Sequence, residues 1–314
     1  MDRNETPSGD SFNRGGGLIP GSEGKPAFTL RRRRPLPIPI LIAVPHAGRD
    51  YPLPLMRRLR HPDTAPLRLE DRLVDLVADE VAKATGAALL VAHAPRAMID
   101  LNRSPDDVDW EMVAGRAASL RPRLAAGRRA RSGLGLVPRR LPGLGELWNA
   151  QLPRGELAER IDSVHQPYHT ALARTLEAMR DRWGAALLVD LHSMPPLGPK
   201  AGDEPAVDFI IGDRFGASCD SRLVMAGFDQ LDAAGALSAH NRPYAGGYVL
   251  DRHGAPGRGI SAIQLEICRA AYLDNDLRQL GGGLPDVVQT VTGLIRRLAD
   301  ELSGASGGLA EAAE

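Results

Sequence analysis

The sequence predicts an α/β fold in which a mainly parallel sheet is sandwiched between helices, and three observations predict it. Short continuous apolar runs, the pattern of strands buried on both faces, recur along the chain. Between them lie stretches whose apolar residues return every three or four positions, the pattern of amphipathic helices. The composition, 43% hydrophobic and 25% charged over 314 residues, is that of a globular chain with a sizeable core. No internal repeat interrupts the alternation.

The elements run in order from the N-terminus. Residues 1–36 read as a disordered tail, because Gly15-Gly16-Gly17, scattered Ser and Glu and the run Arg31–Arg34 offer little apolar surface to bury. A single catalytic domain is expected over 37–302. Ile38–Val44 is its first strand. Leu73, Val74, Val77 and Val81 form a helical stripe on a helix starting at Asp71, and Ala87–Ala92 and Ala97–Leu101 are further strands. Residues 111–150 carry Arg121–Arg131 and then Gly133, Gly135, Pro138, Pro142 and Gly143, which reads as an insertion or long loop on the domain. From Leu157 through Ile161, Val164, Tyr168, Leu172, Leu176 and Met179 to Trp183 runs one long helix, started or kinked by Pro167. Ala185–Leu191 is the clearest strand, with Val207–Ile211 and Ile260–Ile267 after it. Ala217–Ala233 and Leu284–Leu302 are helices, and residues 303–314 read as a flexible tail.

Charge and cysteine content exclude several classes. Lysine plus arginine and aspartate plus glutamate are equal at 39, which gives no support to a nucleic-acid or membrane-surface protein. Arg31–Arg34 and Arg121–Arg131 are local exceptions, and nucleic-acid binding through them would show as a salt-dependent gel shift. Only three basic residues are lysines, a skew that a GC-rich coding background explains. Cys219 and Cys268 stand far apart, so neither a disulfide framework nor a cysteine-built zinc ribbon is expected. The polar start of the chain lacks a signal-peptide apolar region, and the longest apolar runs fall short of the ~18–20 residues of a membrane span. The chain reads as cytoplasmic.

The residues at the ends of the strands carry the chemistry. In open α/β sheets ligands bind beyond the carboxyl ends of the strands. Here those ends deliver His46, Asn102-Arg103, His192 and Asp213-Arg214, with Glu266 near the end of the last run. Histidines, carboxylates and arginines on one rim suggest a metal hydrolase. Catalytic zinc takes three protein ligands and keeps a position for water, so His46 and His192 need a carboxylate, for which Glu70 and Asp71 are candidates. Asp190, two residues before His192 and on the same strand face, is placed either to orient that imidazole or to serve as a structural acid. Glu266, a carboxylate inside an apolar run, is a general base or one half of a buried pair with an arginine. His165 and His169, four apart on the long helix, could share a metal by spacing but, with Tyr168 beside them, read first as packing or hydrogen-bonding groups. Tyr244 and Tyr248 flank Ala245-Gly246-Gly247, a turn that offers a phenol donor or is a plain loop.

These residues resemble a known family. Val44-Pro45-His46-Ala47-Gly48-Arg49-Asp50-Tyr51-Pro52 resembles the opening motif of N-formylglutamate amidohydrolases. Glu70-Asp71-Arg72-Leu73-Val74-Asp75, Arg96 with Asp100-Leu101-Asn102-Arg103, and Asp190-Leu191-His192-Ser193 come next in the family's order. Asn241–Tyr248 and Gln264-Leu265-Glu266-Ile267 complete the series, which spans roughly residues 38–300. The resemblance implies a three-layer sandwich with a central mixed, mainly parallel sheet, similar to zinc carboxypeptidases. It implies one Zn²⁺, or another divalent metal, on His46, His192 and Asp71 in preference to Glu70. It further implies Glu266 as base, Tyr248 or an arginine at the oxyanion, and Arg96 or Asn102-Arg103 on a substrate carboxylate. The implied reaction is hydrolysis of N-formyl-L-glutamate to L-glutamate and formate, of the histidine-degradation type. Another N-acyl or formimino amino acid, a peptide-like amide, or a metal-free binding protein on the same fold are the alternatives. The sequence departs from the family pattern at Ala47, where Ser is usual, at 111–150, and in the Pro-rich stretch 195–199.

Overall fold

Eight strands form one sheet in the computed structural model, which describes residues 11–115, 127–198 and 206–311. The elements are β1 (Ser11–Gly16), β2 (Phe28–Arg33), β3 (Ile40–Val44), α1 (Leu53–Met56), α2 (Ala65–Leu69), α3 (Val74–Thr85) and β4 (Ala88–Ala92). After them come α4 (Arg128–Arg131), the hairpin β5 (Arg140–Leu141) and β6 (Gly145–Glu146), α5 (Arg154–Arg160), α6 (Gln166–Trp183) and β7 (Ala186–Met194). The chain ends with β8 (Phe209–Gly212), α7 (Ser221–Ala233), β9 (Ser238–His240), α8 (Tyr248–His253), β10 (Ile260–Cys268) and α9 (Leu284–Glu311). The sheet order is β1-β2-β4-β3-β7-β10-β8-β9. Its centre, β4-β3-β7-β10, is parallel, while β2 and β8 run antiparallel to β4 and β10.

Because successive residues of a strand face opposite sides, the fully buried central strands feed two cores. Leu41, Ala43, Leu188 and Ala262 point to the side covered by Tyr168, Leu172, Leu176 and Met179 of α6. Ile40, Ile42, Val189, Ile263 and Leu265 point to the other, covered by α3, α7 and α9. This is the three-layer sandwich with a mixed, mainly parallel sheet that the sequence predicts. The long predicted helix is interrupted by a π-turn at Ile161–His165, just ahead of Pro167. Pro167 has no N–H to offer Ser163, and the Ser163 carbonyl instead accepts from the Leu18 amide (3.0 Å).

Four expectations are corrected. Residues 11–16 and 28–33 are not tail but a pair of strands, with β2 covering the edge that β4 would otherwise expose. Composition misled because the arginines lie along a strand: Arg31 pairs with Asp79 of α3 (2.5 Å), and Arg33 donates to the Lys83 carbonyl (3.2 Å). Ala97–Leu101 is buried but is a turn, since both edges of β4 are taken by β2 and β3; Met98 N–H closes on the Pro95 carbonyl (2.8 Å). β8 is antiparallel to β10 and ends at Gly212 opposite Gln264, so Asp213 and Arg214 lead away from the Glu266 end of β10 instead of toward it. Helix α9 runs on to Glu311. Anchored by buried Val291, Leu294, Ile295 and Leu298, it propagates into the Gly/Ala-rich end without a new nucleation cost. Residues 1–10, 116–126 (with most of the arginine run), 199–205 and 312–314 lie outside the described residues.

Candidate active site

The parallel strands deliver the polar residues to one rim. His46 lies two residues beyond β3, and its carbonyl accepts the Asp71 amide (2.9 Å), which fastens the turn before α3 to this strand end. The chain after β3 can make that turn because Gly48 lies against the loop following β4: a Cβ there would stand 2.0 Å from the Ala94 carbonyl oxygen. Leu73, two residues past Asp71, is held at φ +57°, a strained conformation for a branched side chain of the kind concentrated at functional sites. Asp190 and His192 share a face of β7, and the β7–β10 register sets Glu266 opposite His192 and Gln264 opposite Asp190.

His46, Asp71 and His192 converge, their ligand atoms lying within 4.8 Å of one another. Asp71 Oδ2 lies 2.9 Å from His192 Nδ1 and 3.5 Å from His46 Nδ1. The far nitrogens are held: His46 Nε2 donates to Asp100 Oδ1 (2.7 Å) and His192 Nε2 donates to Asp190 Oδ2 (2.9 Å). A carboxylate on the outer nitrogen fixes the orientation of each ring and aims both Nδ1 atoms at Asp71, the arrangement from which a deprotonated Nδ1 can bind a metal. Asp100 is in turn fixed by Arg96 Nε (2.9 Å), and Asp71 Oδ1 faces Arg269 Nη2 (3.3 Å).

The electrostatics of the group call for a cation. Burial alone would raise the Asp71 carboxyl, but its hydrogen bonds to His192 and His46 reverse this and hold it below the usual carboxylate range. Burial likewise opposes charge on His192, yet the Asp190 and Asp71 carboxylates push the imidazole well above its ordinary value. Glu266 is pushed up to about 7, mainly by burial, with Asp71 and Asp190 adding to the rise. Four buried carboxylates, Asp71, Asp100, Asp190 and Glu266, thus crowd two imidazoles and Arg96. Three convergent donors of hard and borderline type in such a field fit a divalent metal of the zinc class.

A cavity of about 370 Å³ opens over this group, lined by Glu266, Tyr244, Met194 and Gly247 and ringed by arginines. A larger one, about 580 Å³, lies between β1–β2 and α6 and contains no histidine. Only the former joins convergent acids and imidazoles to an open space, so the chemistry belongs there.

The structure sorts the candidate residues. His46, Asp71, His192, Glu266, Arg96, Asn102 and Arg103 all line the cavity. Glu70 does not join the group; it turns to Arg72 (2.9 Å). Asn102 has its polar atoms committed, Oδ1 accepting the Val249 amide (3.0 Å) and Nδ2 donating to Gln264 (3.2 Å), so it braces the site instead of gripping substrate. Tyr248 heads α8 and its hydroxyl accepts from Arg252 (2.9 Å) beside a neighbouring cavity, because the Gly246-Gly247 turn carries it past the rim; the phenol over the acids is that of Tyr244. Sequence reasoning quoted Asp100 without giving it a role and missed Arg269. Asp100 carries the same signal as Asp190, an acid among apolar residues, and Arg269 directly follows a parallel strand.

Behind the site, three buried histidines hold the Leu101–Arg103 backbone. His165 Nε2 donates to the Arg103 carbonyl (2.9 Å), His169 Nε2 to the Leu101 carbonyl (3.0 Å), and His253 Nε2 to His169 Nδ1 (2.9 Å). Burial lowers all three, His253 to about 4. An unfolded imidazole titrates near 6.5, so the stability His253 contributes by remaining neutral is complete above about pH 6.5 and lost as pH falls toward about 4. At full extent it is worth roughly 3 kcal/mol. Thermal unfolding measured from pH 7.5 to 4.5 is expected to show a falling Tm across this window and a shallower fall in His253→Gln. Identical slopes would remove His253 as the source.

Comparison with known proteins agrees with this geometry. The family model of N-formylglutamate amidohydrolase matches residues 38–273. The chain is 32% identical over 251 residues to a protein of Pseudomonas putida named N-formylglutamate deformylase, covering 76% of this chain and 82% of that one. A namesake from Pseudomonas aeruginosa is 28% identical over 270 residues, covering 84% and 92%. The crystal structure of N-formylglutamate amidohydrolase from Ralstonia eutropha JMP134 superposes with a TM-score of 0.78 at 30% identity, covering 89% of this chain and 99% of that one. By the extent of these matches, and with its motifs in the family's order and gathered at one rim, the chain belongs to the N-formylglutamate amidohydrolase family.

Proposed function

We propose that the chain is a zinc-dependent amidohydrolase that cleaves the formyl amide of N-formyl-L-glutamate, releasing formate and L-glutamate in a step of the histidine-degradation type. The observation that carries this reading is the pairing of Glu266 with His192 across β7 and β10, which sets a buried carboxylate beside the His46–Asp71–His192 group in an arginine-ringed cavity. The names of the relatives supply the substrate.

In this mechanism His46 and His192, through Nδ1, and Asp71, through its carboxylate, would hold the metal. When bound, a zinc ion polarises a carbonyl and lowers the pKa of water to about 7. Glu266 takes the proton of the attacking water and returns it to the departing amine, a role that suits a carboxyl titrating near neutrality. Gln264, donating to Glu266 Oε1 (2.7 Å), keeps that carboxylate aimed. Asp100 and Asp190 keep the two histidine rings oriented. Arg103, which donates to the Leu134 carbonyl (2.9 Å) and the Asn102 carbonyl (2.6 Å), retains an un-neutralised charge for the α-carboxylate. Arg96 and Tyr244 line the cavity in which the amide would react. Two free, buried cysteines suit the cytoplasm as its compartment. The chain has no helix among its described residues long and apolar enough to cross a membrane.

The test is a panel of N-formyl, N-acetyl and formimino amino acids offered to the zinc-loaded protein, with released amine as readout. N-formyl-L-glutamate is expected to give the highest kcat/KM. A higher value for an N-acetyl or formimino substrate would change the acyl group, and no hydrolysis of any member would overturn the reading.

A further inference from the structure

The arginines around the cavity are not equivalent. Arg96 is neutralised by Asp100 (2.9 Å), and Arg269 lies against Asp71 (3.3 Å). Arg68 donates to the Pro142 carbonyl (3.2 Å) and Arg103 to the Leu134 and Asn102 carbonyls, bonds that leave the charge uncompensated. Arg129, on α4 of the 111–150 segment, is exposed and has no side-chain hydrogen bond or ion pair among the described residues. It borders both the catalytic cavity and an adjoining one of about 480 Å³, which share Asn102, Arg103, Arg129, Gly246 and Gly247.

Arg129 is held there by built contacts. Ala130 is fully buried, and a side chain at Gly135 would meet its Cβ at 2.9 Å. A single residue ties two of these uncompensated arginines, Arg103 and Arg129, together: the Leu134 amide donates to the Arg129 carbonyl (2.9 Å), and the Leu134 carbonyl accepts from Arg103 Nε (2.9 Å). The pair repel. Burial, joined by the Arg96 and Arg129 charges, pulls the Arg103 guanidinium below its ordinary value, while Asp100 and Asp107 pull the other way. One carboxylate leaves one of these cations unpaired; a molecule with two separated carboxylates satisfies both.

We propose that Arg129 is a specificity-determining residue that receives the side-chain carboxylate of the substrate, so that α4 makes the site selective for dianionic over monoanionic N-formyl amino acids. This rests on the hydrolytic reading and adds the element that chooses the substrate. N-formyl-L-glutamine, which replaces only the second carboxylate by a neutral amide, is the discriminating probe.

In Arg129→Ala, kcat/KM for N-formyl-L-glutamate is expected to fall about ten-fold or more through KM, while that for N-formyl-L-glutamine stays within about two-fold. Arg129→Lys is expected to keep part of the preference. Glutarate gives a readout without turnover: calorimetry is expected to show it binding more weakly to Arg129→Ala than to the unaltered protein. An unchanged glutamate-to-glutamine ratio in Arg129→Ala, or unchanged glutarate binding, would overturn the assignment of Arg129 while leaving the hydrolase intact. If the unaltered zinc-loaded protein cleaves neither substrate, the hydrolytic reading itself fails, and this inference with it.

Discussion

Replacing Glu266 with Gln is expected to lower kcat by on the order of 10⁴-fold while leaving metal content unchanged. Gln is isosteric with Glu, and its Oε1 can still accept from Gln264 Nε2, so the hydrogen bond seen at 2.7 Å survives the substitution. The substitution removes the ability to accept a proton from water and pass it to the leaving amine. The sequence left a second role for Glu266 open, as half of a buried ion pair with an arginine. Among the described residues no such pair forms, and Arg96, whose charge acts on Glu266, is engaged by Asp100. Glu266 therefore sits buried, 6% exposed, without an ionic partner, at a cost that a purely structural acid would not justify. Turnover and zinc content measured on the same preparation separate the two roles. Near-normal kcat in Glu266→Gln would remove it as the base.

The second large effect concerns Asp71. Asp71→Asn keeps the size of the side chain but removes the charge that both imidazoles face at 2.9 and 3.5 Å. Two neutral histidines without an anionic ligand hold zinc far more weakly, and the variant is expected to lose its metal on dialysis and at least about 100-fold in turnover. Zinc also gives a readout independent of activity. A metal that binds only the folded chain raises Tm by mass action, so zinc is expected to stabilise the unaltered protein and not Asp71→Asn. Equal stabilisation of both would show that Asp71 is not a ligand.

Much of this site was legible in the sequence because strand ends impose position. His46 and His192 each follow or close a parallel strand, and Glu266 interrupts an apolar run; those two signals suffice to bring three of the central residues to one rim. Asp190 was legible as well, since a spacing of two on a strand means a common face. Strand direction was not. β8 carries the same apolar signature whether parallel or antiparallel, and its reversal takes Asp213 away from the site. Nor could pattern separate a buried turn from a strand at Ala97–Leu101, because burial makes both apolar and only the pairing of β4 with its two neighbours decides.

The arginines show a different limit. In sequence Arg31–Arg34 and the 121–131 run look alike, as clusters of solvated charge. In the fold Arg31 braces a strand against α3, and Arg129 borders the catalytic cavity. A guanidinium's task depends on which acids lie within a few ångströms, and those acids, Asp79 for one and Asp100 for Arg96, come from distant parts of the fold or a turn that pattern read as strand. The same holds for the phenols: Tyr244 and Tyr248 are four residues apart, and the turn between them determines which one reaches the acids.

Titrating metal-stripped protein with zinc shows whether one metal on His46, Asp71 and His192 supports cleavage of an N-formyl amide. Formate released from N-formyl-L-glutamate is measured at each addition. Essentially no release is expected without metal, and activity is expected to rise linearly and saturate near one zinc per chain. Full turnover by the stripped protein, or none at any zinc level, would contradict that role of the metal.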